Sequence, residues 1–219
     1  RLSLNEAAAV PEVFITAHDA LTARLGLQAG ETLLIHAVGS GVGTAALQLA
    51  KAMGCRVIGT SRTGWKLDRA RGLGLDVAID ASGGEWVDGV RDAAPEGVDA
   101  ILDLVGGAYL DGNLRSLKTL GRQVVVGLTA GRTAEIDLGR LLSRRLTLVG
   151  TALRSRSAAE KAAVTRGFTR DVVPLLADGS VRPIIHDTLP MTDAARAHEL
   201  VESNATFGNV VLAWGRVGR

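Results

Sequence analysis

Two hydrophobic periods alternate along the 219 residues. Short runs rich in Val, Ile and Leu recur at residues 32–36, 56–60, 77–79, 98–102, 122–127 and 146–150. Between them lie helix-length segments at 41–52, 64–72, 84–92, 107–117 and 138–143. Strand-sized apolar runs alternating with helices predict a parallel sheet covered on both faces. Right-handed crossovers make such a sheet doubly wound. The expected fold is therefore α/β, with six parallel strands between residues 32 and 150. Two helices lead in, one over 4–9 and one opened by Pro11-Glu12 that runs to about Leu25. Proline at a first helical turn and an acid near the positive dipole end favour the second start.

After residue 150 the rhythm changes. One long helix is expected over 157–178, ended by Gly179. A strand at 183–189, a helix at 192–203 and a strand at 208–213 follow. These two strands do not extend the parallel pattern, and they read as the returning part of a different lobe.

Composition narrows the class. With 47% hydrophobic residues the chain can fill a core, and its 27 glycines imply many turns. The net charge is only +2 and no stretch forms a basic block, so nucleic acid is not the expected partner. The longest apolar runs are strand-sized, too short to cross a membrane as a helix, and no signal peptide is visible. The single cysteine, Cys55, excludes an internal disulfide and a cysteine-built zinc site. A cytoplasmic protein is expected.

The candidate chemistry begins at the first strand. His36-Ala37-Val38-Gly39-Ser40-Gly41-Val42-Gly43-Thr44 joins strand 32–36 to helix 41–52. Glycines let the backbone approach a bulky anion, and the new helix presents free N–H groups and its positive dipole end to it. In a βαβ setting this is a seat for a dinucleotide pyrophosphate. The turn does not fit the strict G-x-G-x-x-G spacing. About 20 residues further on, the end of the second strand selects the nucleotide, an acid there binding the ribose hydroxyls of NAD. That place holds Ser61, with Arg62 next to it and Lys66 nearby. A hydroxyl and two cations suit a 2′-phosphate, which points to NADPH.

Several stretches in order carry a resemblance. They are Glu6-Ala-Ala-Ala-Val-Pro-Glu12, Thr16-Ala17, Ile35-His-Ala37, Ser40-Gly-Val-Gly-Thr-Ala-Ala46 and Asp103-Leu-Val-Gly-Gly107. Gly121-Arg122, Val126-Gly127-Leu128, Leu153-Arg-Ser-Arg-Ser157, Ala195-Arg-Ala-His-Glu199 and Gly208-Asn-Val-Val211 continue it. Together they resemble the C-terminal two-thirds of a medium-chain dehydrogenase/reductase, in the zinc-independent quinone oxidoreductase branch. The resemblance implies that Ser40, Gly41, Val42 and Gly43 hold the pyrophosphate and that Ser61, Arg62 and Lys66 hold the 2′-phosphate. It implies that Val105 flanks a ribose, and that Val126, Gly127 and Leu128 line the way to the nicotinamide. Ala152 and Leu153 would meet the carboxamide, and Thr16 the nicotinamide ring.

Three positions depart from the family pattern. Ala81 stands where NADPH-dependent members often have Tyr, and Asn209 where a Lys is common. Glu12 stands where zinc alcohol dehydrogenases have a Cys ligand, so no metal is expected. The implied activity is hydride transfer from NADPH to a quinone or an α,β-unsaturated carbonyl. An enoyl reductase domain of a polyketide or fatty-acid synthase and a non-catalytic dinucleotide-binding module are the alternatives. No catalytic residue is assigned. Arg154 and Arg156 adjoin the nicotinamide loop, with a plain surface role the commoner outcome, and Asn204-Ala-Thr206 forms an uninformative sequon. The domain expectation is a dinucleotide-binding unit over 1–180 and, over 181–219, the returning segment of an incomplete GroES-like catalytic lobe. The start at Arg1, where that lobe would hand over, suggests a fragment. A homodimer is expected through the sixth strand, whose open edge invites pairing.

Overall fold

The computed structural model describes residues 2–214. Its helices α1 (Leu4–Ala8) and α2 (Pro11–His18) lead to strand β1 (Thr32–Ile35). Then come α3 (Gly41–Ala52), β2 (Arg56–Ser61), α4 (Gly64–Arg71), β3 (Val77–Asp80), α5 (Trp86–Ala93) and β4 (Val98–Asp103). The series continues with α6 (Leu110–Ser116), β5 (Leu117–Val125), α7 (Leu138–Ser143) and β6 (Thr147–Gly150). The last part comprises α8 (Ala158–Asp171), α9 (Val173–Asp178), β7 (Ile185–Pro190), α10 (Ala194–Glu202) and β8 (Asn209–Ala213).

The six strands β1–β6 form one parallel sheet in the order β3-β2-β1-β4-β5-β6. The expected doubly wound α/β fold is present. Period-two alternation sends neighbouring side chains to opposite faces. Leu33, Ile35, Val57, Ala100 and Leu102 pack on one face with α2 and α3, through Phe14, Ala17 and Leu47. Leu34, Ile58 and Ile101 pack on the other, under Trp86, Val90 and Leu114. The order reverses between β1 and β4, where the strand ends open a crevice, the usual ligand position in such sheets.

Four details differ from the sequence expectation. The segment expected as one helix over 157–178 is two, because Pro174 has no N–H to continue the ladder; α8 ends at Asp171 and α9 begins at Val173. The helix expected to run to Leu25 changes at Asp19 into a π-helical stretch, Asp19–Arg24, which turns Asp19 inward. The helix expected over 107–117 starts as a 3₁₀ turn at Gly107–Tyr109 and gives up Leu117 to β5, where Leu117 pairs with Val98. Strand β5 in turn stops at Val125, since the backbone N–H groups of Val126 and Gly127 turn to donate to the Asp103 carbonyl.

The late strands β7 and β8 pair with each other in parallel, as a separate two-stranded sheet joined by α10. That sheet is stitched to the glycine turn. Gly208 N–H donates to the Gly39 carbonyl at 2.9 Å, and Ser40 and Gly208 form a bridge. Gly208 has φ +80° and lies so close to the Ile184 carbonyl that no side chain fits.

Leu34 is fully buried at the centre of the sheet. Leu34→Ala is expected to destabilise the chain by about 2–5 kcal/mol, measured by urea denaturation, with the denaturant slope unchanged.

Candidate functional site

Two cavities open at the carboxyl ends of the strands, on either side of the loop that follows β5. Val126 lines one of them, and Thr129 and Ala130 line the other.

The larger network of residues surrounds a cavity of about 510 Å³. Ser40 and Gly41 form its floor at the start of α3. Ser40 caps that helix, its hydroxyl accepting from Gly43 N–H at 3.0 Å. The N–H groups of Gly41 and Val42 have no acceptor among the described residues, so the first turn keeps donors for an anion. The glycines themselves answer to the protein. A Cβ on Gly43 would stand 2.5 Å from the Ala37 carbonyl oxygen, and one on Gly41 2.5 Å from Asn209 Oδ1. The turn is therefore glycine-rich so that strand, helix and β8 meet closely, and the resulting backbone leaves the first-turn N–H groups unpaired.

Ser61, Arg62 and Lys66 line the same cavity, and so does Val105. Lys66 is buried, and burial together with the Arg62 charge pushes its ammonium below the usual lysine range. Its Nζ donates to Asn204 Oδ1 at 2.6 Å. Asn204 holds a left-handed backbone, φ +57°, which Asn tolerates better than most residues. Glu202, Asn204 and Thr206 bring the C-terminal segment into the wall, Glu202 being the one carboxylate among the described lining residues. None of these three stood out in the sequence. Asn204 and Thr206 were visible only as the ends of a sequon, and only folding brings Asn204 to Lys66.

The second cavity, of about 550 Å³, gathers Thr16, Val126 and the adjacent Ala152 and Leu153 from three separate stretches. Behind them, Asp19 is buried and accepts from Arg156 Nη1 at 2.9 Å, Arg156 Nη2 at 2.6 Å and Thr151 Oγ1 at 3.0 Å. Burial raises the Asp19 carboxyl, but the bonds from Arg156, Arg24 and Thr151 outweigh it and hold the group below the usual range. Arg156 is thus neither a surface residue nor free for a substrate, while exposed Arg154 lines the cavity. Four expected site residues line neither cavity. Val42 packs against the core, and Gly43 is buried in the turn. Gly127 presses on the Leu104 carbonyl, while Leu128 stands half exposed beside Gly106.

Beneath the crevice runs a buried polar chain. His36 Nδ1 lies 2.9 Å from Thr60 Oγ1, and Nε2 lies 2.6 Å from Asn113 Oδ1. Asn113 Nδ2 and Gln123 Nε2 both donate to Asp103 Oδ2. Because Asn113 gives its N–H to the carboxylate, its oxygen faces His36, which then carries its proton on Nε2. Complete burial depresses the His36 pKa to about 4, against the opposing pull of the Asp103 charge.

The fold and these cavities can be set beside known proteins. Residues 41–166 match the family model described as "Zinc-binding dehydrogenase". The chain belongs to that family. It corresponds to the C-terminal, cofactor-binding portion of a medium-chain dehydrogenase/reductase. It is 33% identical over 220 residues to the spectinabilin polyketide synthase system protein NorB of Streptomyces orinoci, covering 99% of this chain and 10% of NorB. It is 29% identical to the quinone oxidoreductase of Rattus norvegicus, covering 96% of this chain and 63% of that protein. Two solved structures superpose on nearly all of it. A mycobacterial protein solved with NADPH has a TM-score of 0.84 at 28% identity, covering 96% of this chain and 65% of that one. An NAD-dependent alcohol dehydrogenase has a TM-score of 0.83 at 30% identity, covering 98% and 60%. The chain thus spans less than two thirds of these curated relatives.

The family's descriptive name implies zinc, and the donor set does not fit it. Among the described residues no group of three His, Cys, Asp or Glu side chains is placed to hold a metal. Also among them, no helix is long and apolar enough to cross a membrane.

The neutral His36 gives a pH test. Its folded pKa lies below the unfolded value, so the unfolded chain binds the extra proton between the two. Stability is complete above about pH 6.5 and falls as pH drops towards 4, by up to about 3 kcal/mol. Urea titrations across that window should show the loss, and His36→Gln should flatten it.

Proposed function

We propose that this chain is the cofactor-binding portion of an NADPH-dependent oxidoreductase that delivers hydride to a quinone or an α,β-unsaturated carbonyl. The observation that carries the reading is the convergence of the α3 N-terminus with Ser61, Arg62 and Lys66 on one cavity. The end of β2 offers a hydroxyl and cations where an NAD site would offer an acid.

The fit is chemical. In this reading Ser40 and the open N–H groups of the first α3 turn take the pyrophosphate, and Val42 and Gly43 shape that turn. Arg62 and Lys66 take the 2′-phosphate, with Ser61 beside them and Val105 on the ribose. Val126, Gly127 and Leu128 carry the loop that separates the two cavities. Thr16, Ala152 and Leu153 then form the nicotinamide chamber. When bound, the cofactor supplies the hydride; the protein supplies orientation and exclusion of water. The buried Asp19–Arg156 pair keeps the 151–156 segment in place against the π-helical turn.

A second reading has its own support. The similarity to NorB runs over 99% of this chain, which fits an enoyl reductase unit within a polyketide synthase. Both readings share the site and differ in the acceptor. Residues 1–180 make up the dinucleotide-binding unit in either case, and 181–219 the returning segment of a GroES-like catalytic lobe; Arg1 and residues 215–219 lie outside the described residues. The paired β7 and β8, too small to be a lobe, suit a segment that other strands extend.

The cofactor reading is tested by titration with NADPH and NADH at one salt concentration. NADPH should bind at least about tenfold tighter, because a hydrogen bond to a charged group contributes roughly 1.5–3 kcal/mol. Arg62→Ala and Lys66→Ala should each remove most of that preference, and Asn204→Ala part of it. Equal binding of the two cofactors by the parent chain overturns the reading.

The sixth strand carries the assembly proposal. Strand β6 ends the sheet, with Leu148 38% exposed on it and Leu142 of neighbouring α7 78% exposed. A homodimer pairing β6 with its twofold mate covers both the edge and these leucines. Light scattering should give twice the chain mass, and Leu148→Lys combined with Leu142→Lys should reduce it to one.

A further inference from the structure

Tyr109 sits in the 3₁₀ turn just past the glycines that follow β4, and its ring lines the cavity together with Arg62, Lys66 and Ala81. Ala81 contributes only a methyl group, which leaves that part of the wall to the aromatic ring. The ring is held on two sides. It stacks on Trp86, with centroids 5.0 Å apart and planes inclined by 25°, and it meets His36 edge-on at 4.9 Å and 86°. His36 is itself fixed by Thr60 and Asn113, so this clamp allows little movement. Yet the phenol hydroxyl makes no hydrogen bond to any described residue. It is not among the buried unpaired side-chain atoms, and on a residue that lines the cavity it stands open to a ligand as donor or acceptor.

We infer that Tyr109 is a specificity-determining residue of the dinucleotide site, its hydroxyl donating to the phosphate that Arg62 and Lys66 attract and its ring walling the adenosine. The inference rests on the proposed cofactor reading and adds a neutral donor to its two cations. Burial pushes the phenol above its ordinary range, with Arg62 opposing and Asp103 assisting, so at neutral pH the group keeps the proton it needs to donate. No interaction among the described residues uses this hydroxyl. The ring's packing on Trp86 and His36 would be served equally by Phe.

That difference supplies the test, which avoids the nicotinamide half altogether. Calorimetry would measure 2′,5′-ADP and 5′-ADP binding to the whole chain and to Tyr109→Phe, Tyr109→Ala and Arg62→Ala variants, each first checked for an unchanged thermal melt. Tyr109→Phe should bind 2′,5′-ADP more weakly by about tenfold or more, since a lost hydrogen bond to a charged acceptor is of that order, and should bind 5′-ADP as before. Tyr109→Ala should weaken both. If Tyr109→Phe matches the parent for 2′,5′-ADP while Arg62→Ala still loses affinity, the cofactor reading stands and the role of Tyr109 falls. If Arg62→Ala also matches the parent, both fall together. Should Tyr109→Ala melt early, the Tyr109→Phe comparison alone decides.

Discussion

The site depends on one buried carboxylate. Asp103 ends β4 with no solvent contact, and its two oxygens accept from Val105 N–H, Gly106 N–H, Asn113 and Gln123. A charge this deep is tolerable only when dipoles replace the lost water. The four donors come from the loop after β4, from α6 and from β5. Through Asn113 the chain reaches His36 after β1 and Thr60 in β2. Four adjacent strands, β2, β1, β4 and β5, are thereby tied at their carboxyl ends by side chains as well as by the sheet ladder. Both cavities open above that tie. The turn at Val105–Gly106, with Gly106 at φ +77°, is shaped by the same carboxylate, and so is the position of Val105 in the cleft.

Much of this was legible in the chain itself. The six strands announced themselves because each is a short, nearly continuous apolar run, the signature of a strand buried on both faces. The helix boundaries were read less well wherever a local rule met a tertiary demand. Pro174 split α8 from α9 where one helix over 157–178 was expected, although its missing N–H is a local signal. The π-helical turn at Asp19 was not read from the sequence, and its buried carboxylate is held in part by Arg156, 137 residues away. The site shows the same division. Ser40, Gly41, Ser61, Arg62, Lys66 and Val105 meet at the cleft because they sit at fixed distances from strand ends. Tyr109 and Asn204 belong to the same wall through packing alone, and no spacing rule finds them.

The C-terminal segment matters more than its length suggests. Gly208 has a left-handed backbone wedged against Ile184, and it donates to Gly39 beside the anion seat. Phe207 is buried against the turn, and the Arg69 guanidinium lies 4.6 Å above its ring. The glycine turn is thus held from outside as well as from the sheet. In the proposed reading a nucleotide in the cleft would meet the segment just before β8, from Glu202 to Gly208, as well as the ends of the large sheet.

The electrostatics of Lys66 bind these points together. Burial and Arg62 both disfavour its charge, and the groups that answer it, the Asn204 oxygen at 2.6 Å and the Trp65 ring 5.7 Å away, are neutral. A cation held this way is preorganised and poorly compensated. An arriving phosphate would gain more from it than from a solvated lysine, because the cost of taking that charge out of water was met when the chain folded. The same logic explains why a hydroxyl such as that of Ser61 suits the end of β2. A carboxylate there would satisfy Lys66 within the protein and repel a phosphate that Arg62 alone would have to hold. The selectivity of the proposed NADPH site then lies less in the number of its cations than in how incompletely the fold has paired them.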